Sequence, residues 1–163
     1  MKIEDNLYLK RLEDKDEIYL ELEKWYKEKE VNKYFEQREL SLNEIKNKYK
    51  ERTQKTTKVP VFIIEFNSKD IGIIQYTEKE DKVYEIDIFI GDVSLHSKGI
   101  GTKVVTYLSN YLLEKGKKVI MCPLKENKKA IRCYQKSGFK INKEFIDVDT
   151  LGNSQKYVEM SKE

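Results

Sequence analysis

Three apolar segments, separated by two short polar interruptions and followed at once by a glycine-containing loop, constrain this chain more than any other feature. They read VPVFIIEF from Val59, IGIIQY from Ile71 and VYEIDIFI from Val83. β-Branched and aromatic residues dominate them, and the connections at 67–70 and 77–82 are polar and short. The pattern predicts a three-stranded antiparallel meander. Beyond it, Val104, Val105, Leu108, Tyr111 and Leu112 fall on one helical face over 102–115, and the buried-looking run VIMC starts at Val119. Strand, helix and strand in that order form a crossover that lays the helix on the sheet.

The flanks extend the pattern. Residues 7–12 alternate like a strand; Asp14 and Glu17 then have capping-box spacing ahead of Ile18, Leu22 and Trp25, as do Ser41 and Glu44 ahead of Ile45 and Tyr49. Asn127 is a candidate N-cap for a helix carrying Ala130, Ile131 and Tyr134 on one face, with Gly138 as its stop. Extended segments at 139–148 and 156–160 complete the order β-α-α-β-β-β-α-β-α-β-β, an α/β chain with a mixed sheet and helices on both faces. No repeat or Pro- or Gly-rich linker divides residues 1–163, so one domain is expected.

Composition removes several function classes. Apolar residues make up 39% and charged residues 37%, enough for a core inside a solvated exterior. No run approaches the roughly 18 apolar residues of a membrane span, and the start MKIEDNLYLKRLEDKDE has no apolar leader. The expectation is a cytoplasmic protein with no membrane partner. Cys122 and Cys133 lack C-x-x-C spacing, and His96 is the single histidine, so no metal site is expected. A lysine-rich segment stands out: 96–143 holds 12 Lys+Arg against 2 acids, net +10, in a chain whose total is +3. Such a segment suits a polyanion, or is simply a solvated face. Without an interleaved aromatic platform it is not expected to bind nucleic acid.

The segment Ser97-Lys98-Gly99-Ile100-Gly101-Thr102 lies between a strand and a helix start. Free backbone N–H groups and the helix dipole favour an anion there, and glycines let a ligand approach the backbone. It is neither a Walker loop nor G-x-G-x-x-G, since Val104 stands in the third glycine's place, which removes support for nucleotide hydrolysis and dinucleotide redox. Asp87 interrupts an apolar strand, sharing its face with Glu85 and Phe89. It is either a strand carboxylate facing solvent or a group placed for chemistry.

The string SKGIGT, with Asn127, Ala130, Ile131, Tyr134, Gly138 and Phe139 at their spacings, resembles the acetyl-coenzyme A motifs of the GNAT N-acetyltransferase superfamily. Within it, IDIFIG (86–91), SKGIGTK (97–103) and AIRCYQKSGF (130–139) are most similar to the bacterial aminoglycoside 6'-N-acetyltransferases. The resemblance implies the GNAT fold, acetyl-coenzyme A as co-substrate, an amine-bearing small molecule as acceptor and no metal. It leaves a homodimer open. It implies that backbone amides of Ser97, Lys98, Gly99, Ile100, Gly101 and Thr102 hold the pyrophosphate and that Asn127 and Ala130 flank the pantetheine arm. The backbone of the Asp87 strand, with Phe89 and Ile90, would meet the thioester.

The same resemblance makes Asp87 the residue that orients or deprotonates the amine and Tyr134 the acid facing the departing sulfur. A phenol near pKa 10 suits a thiolate near 8.5; the alternative for Tyr134 is a core aromatic. Where the family has Gln or Arg three residues before the first glycine, this chain has His96. On the acceptor side it has Tyr34-Phe35-Glu36-Gln37 in place of an aromatic-Gly-Gly stretch, and only 77–82 where the family inserts a longer acidic segment. Glu36, Glu39 and Glu85 are the candidate contacts for a cationic, aminoglycoside-like acceptor. The competing readings are a polyamine or protein amine as acceptor, and a coenzyme A binding module without catalysis.

Overall fold

The computed structural model of the protein describes residues 1–149 and 151–163. The chain opens with strands β1 (Lys2–Glu4) and β2 (Leu7–Arg11), then helices α1 (Asp16–Lys27), α2 (Lys29–Asn32) and α3 (Leu42–Lys50). The meander follows as β3 (Val61–Phe66), β4 (Lys69–Glu78) and β5 (Val83–Ile90). Next come α4 (Ile100–Leu113), β6 (Lys118–Met121), α5 (Lys128–Lys136), β7 (Lys140–Val148) and β8 (Ser154–Lys162). All eight strands join one sheet in the order β1-β2-β3-β4-β5-β6-β8-β7, antiparallel throughout except between β5 and β6.

The meander stands where the sequence puts it, with tighter connections. Asn67 and Ser68 carry φ of 51° and 62°, the left-handed pair that a two-residue hairpin turn needs, so β4 resumes at Lys69 rather than Ile71. The capping box of α3 forms as spaced: Ser41 accepts from the Glu44 N–H while the Glu44 carboxylate accepts from the Ser41 N–H. The one expected at Asp14 and Glu17 does not. The cap position of α1 is Lys15, and Asp14 accepts instead from the Tyr19 hydroxyl at 2.7 Å. Helix α4 begins at Ile100, inside the glycine loop, not at Thr102. β1 has no counterpart in the sequence reading, because three residues, KIE, carry no measurable alternation.

Neighbouring residues on a strand point to opposite faces, so the sheet divides two cores. Ile64, Ile74 and Ile86 pack under α4 and α5 with Val104, Val105, Leu108 and Ile131. Ile63, Ile73 and Phe89 pack under α1 and α3 with Leu22, Trp25, Tyr26, Ile45 and Tyr49. Gly91 permits the second packing: a Cβ there would lie 2.1 Å from the Trp25 ring.

Candidate active site

The parallel pair β5–β6 is short. Its register runs from Val83 opposite Lys118 to Glu85 opposite Ile120, while β6 pairs with β8 along its other edge. From Ile86 onward β5 keeps β4 on one edge but has no strand on the other among the described residues. Backbone donors and acceptors along that edge are therefore available to a ligand. A cavity of about 650 Å³ opens there, lined by residues 86–90 of β5, the loop and first turn at 95–102, and one face of α5.

Local chemistry shapes the loop. His96 Nε2 is 2.7 Å from the Ile90 carbonyl oxygen, which ties the loop to the end of β5. Ser97 (φ 62°) and Gly99 (φ 81°) turn the chain through the left-handed region into α4. The helical ladder begins when the Lys103 N–H donates to the Gly99 carbonyl, so the N–H groups of Ile100, Gly101 and Thr102 precede it and face the open end of the helix. Across the groove, Asn127 caps α5 by accepting from the Ala130 N–H at 3.2 Å. A Cβ on Gly101 would meet only Cys133 Sγ, at 3.5 Å, which measures how closely α4 and α5 approach. The lining of this half carries Lys98, Lys129, Arg132 and Lys136 and no carboxylate among the described residues.

Asp87 lies at the other end. It is half-buried on the cavity lining, and burial pushes its carboxyl above the ordinary 3.8, with the hydrogen bond from Gln75 Nε2 (3.2 Å) opposing that shift. Gln75 stands directly opposite Asp87 in the β4–β5 register and is itself buried. Its Oε1 accepts from Arg52 Nη1 at 2.8 Å, which fixes the amide so that the NH₂ faces Asp87. Neither Gln75 nor Arg52 emerges from sequence reasoning, although the polar interruption in IGIIQY, on the face shared with Asp87, is a signal for the first.

Tyr134 lines the cavity between the two ends. It is 8% exposed, and its hydroxyl has no hydrogen-bond partner among the described residues, which leaves it free to meet a ligand. Burial, with Cys133 and Asp87 nearby, pushes the phenol well above 10. The pKa match assumed from sequence is thereby loosened: the group stays protonated at any working pH but yields its proton less readily.

The remaining expectations divide. Glu36 lines the cavity, paired with Lys48 at 2.5 Å. Glu85 does not line it. It sits where β5 and β6 are still joined, and its carboxylate is held by Lys79 at 2.7 Å. Glu39 is likewise outside. Phe89 and Ile90 both line the cavity, but the Phe89 ring is committed to the aromatic cluster, 4.8 Å from Phe35 and 5.5 Å from Tyr26 between centroids. What Phe89 offers a ligand is backbone. Cys122 and Cys133 also line the cavity, and burial pushes both thiols up, Cys122 to about 12.

A sheet parted between two parallel strands, with a helix N-terminus on one side of the gap, frames the site, and the family comparison gives this architecture a name. The acetyltransferase (GNAT) domain family model matches residues 6–140, and the chain belongs to that family. Among solved structures it is similar to the aminoglycoside acetyltransferase AAC(6')-Ib in complex with paromomycin and acetyl-coenzyme A. The TM-score is 0.82 and the identity 23%, over 97% of this chain and 93% of that one. It is similar also to the microcin C7 self-immunity acetyltransferase MccE in complex with acetyl-coenzyme A and AMP (TM-score 0.84, 18% identity, 99% and 94% covered). A third is the spermidine N-acetyltransferase of Vibrio cholerae with coenzyme A and spermine (0.80, 19%, 98% and 96%).

Proposed function

We propose that the protein transfers the acetyl group of acetyl-coenzyme A to a primary amine on a small molecule. The observation that carries this reading is the continuity of one cavity from the 97–102 loop, past Tyr134, to Asp87. The residues fit the donor. Unladdered N–H groups at the start of α4, with Lys98, Lys129, Arg132 and Lys136 around them, suit a diphosphate. The open edge of β5 suits an extended, amide-containing arm, which can bond to it as a neighbouring strand would.

Asp87 attracts the acceptor's ammonium and takes its proton, directly or through water. The freed nitrogen then attacks the acetyl carbon while its C–S bond breaks. N–H groups on the β5 edge polarise the carbonyl. Tyr134, protonated and with its hydroxyl free, supplies the proton to the leaving sulfur, and the second proton shed by the new amide nitrogen returns through water to the tyrosine. Gln75 acts as a positioning residue, holding the Asp87 carboxylate by one oxygen. Direct transfer is favoured over a covalent acyl-enzyme, because both cavity thiols are held in their neutral, weakly nucleophilic form.

A polycationic acceptor of aminoglycoside or polyamine type is the second reading, supported by the ligands named for the similar structures. Coenzyme A release is the test, measured with acetyl-coenzyme A against a panel of aminoglycosides, polyamines, amino acids and peptides. Turnover of a primary amine supports the proposal. Tight donor binding with no turnover across the panel supports a binding module instead.

A further inference from the structure

The acceptor half of the cavity differs in charge from what a polycation needs. Of its three lining carboxylates, Glu36 is paired with Lys48, and Glu30 is exposed at the rim. Asp87, the deepest, faces a cation across a single amide: Arg52 reaches Gln75, and Gln75 reaches Asp87. Arg52 is half-buried on the cavity lining, and no carboxylate lies within ion-pair distance of it among the described residues. Its guanidinium rests over the Tyr49 ring, 5.2 Å from the centroid, and gives one N–H to Gln75. Its backbone carbonyl is held by Arg11 Nη2 at 2.7 Å.

A guanidinium has five donors in a rigid fork matched to carboxylate and phosphate oxygens. Here most of them have no acceptor among the described residues, on a wall of the cavity proposed to receive the acceptor. A molecule carrying only positive charge would meet repulsion from it beside the very carboxylate meant to receive the amine. A molecule with an ammonium and an anionic group a few bonds apart would satisfy Asp87 and Arg52 together.

Resting on the acetyl transfer proposed above, we infer that Arg52 is a specificity-determining residue: the acceptor is an amine that also bears a carboxylate or phosphate, whose oxygens Arg52 binds while Asp87 takes the ammonium. Two matched pairs of probes distinguish the anion sources: phenylalanine against phenylalaninol, and O-phosphoethanolamine against ethanolamine, with spermine and kanamycin as polycations. Each is measured for kcat/KM with acetyl-coenzyme A and for calorimetric binding to the coenzyme A-saturated full-length protein.

The expected result is a preference of roughly 10- to 100-fold for the anionic member of at least one pair, the scale of a charge-assisted hydrogen bond. Arg52→Gln, which keeps an amide donor for Gln75, removes that preference, and Arg52→Lys restores part of it. Equal binding and turnover within both pairs overturns the inference, as does a preference for the polycations or an Arg52→Gln variant that slows both members alike. Should Arg52→Gln fail to fold, the wild-type pairs decide by themselves. Loss of donor binding, or failure to acetylate any amine while the anionic members still bind better, counts against the proposed function and leaves the anion preference standing.

Discussion

On the proposed mechanism Asp87 combines two demands that pull against each other. A carboxylate that must accept a proton gains from desolvation, and the same desolvation costs the fold whenever the group is charged. Its carboxyl is raised above 3.8 by burial, with Glu85 adding to the shift and Gln75, Arg52 and Lys48 opposing it. Between the ordinary value and the raised one the native state holds more protons than the unfolded state, so this residue's contribution to stability falls as pH rises through that window. Asp87→Asn is expected to lower kcat by about 10² or more, to leave donor affinity unchanged, and to melt no lower than wild type at pH 7. That thermal advantage should vanish as pH falls toward 3.8. Wild-type turnover, or a clear loss of stability at neutral pH, would show the carboxylate to be structural. Tyr134→Phe removes a hydroxyl that has no hydrogen-bond partner among the described residues, so thermal stability should hold while kcat falls by about 10² or more. An unchanged kcat across pH would reduce Tyr134 to packing. At this scale the sequence was informative where a residue violated its local pattern, as Asp87 does in an apolar strand. Arg52 violates no pattern; only the fold brings the turn that follows α3 against β4. Glu85 misled because its face was right while its level along the strand lay below the opening.

Elements with strong periodicity or a side-chain cap were legible, and those set by distant contacts were not. The meander, α4 and the Asn127 cap could be read off because each carries its own local signal. The start of α1 could not, since Asp14 is drawn to the Tyr19 hydroxyl instead of the helix end. The two informative glycines at this scale behave oppositely. Gly101 sits in the first turn of α4, and a Cβ there meets Cys133 Sγ at an ordinary 3.5 Å. Gly101→Ala should therefore fold as well as wild type or gain up to about 1 kcal/mol from helix propensity. If the proposed diphosphate lies against that turn, the added Cβ crowds it, so calorimetry should show donor affinity reduced about tenfold or more, a loss of about 1.4 kcal/mol or more. Unaltered affinity in that variant would sink the assignment of the loop to the diphosphate. Gly91→Ala should do the reverse. Its Cβ would overlap the Trp25 ring at 2.1 Å, and the forced displacement should cost about 1–3 kcal/mol in chemical denaturation.

For the whole molecule, the sheet acts as a partition. The cluster under α4 and α5 borders the half of the cavity proposed for the donor, and the cluster under α1 and α3 borders the half proposed for the acceptor. Ile131 belongs to the first and Ile45 to the second. Ile131→Val and Ile45→Val should each cost about 0.5–1.5 kcal/mol, and the double variant should equal their sum within about 0.5 kcal/mol. A coupling well above that, measured by denaturant unfolding, would mean that the two packings are one. If they are separate, inherited change can run at two speeds in one gene. Substitutions around α1 and α3 can retune which amine is accepted without disturbing the grip on the donor, so a lineage built on this frame explores new acceptors while keeping its acetyl chemistry intact.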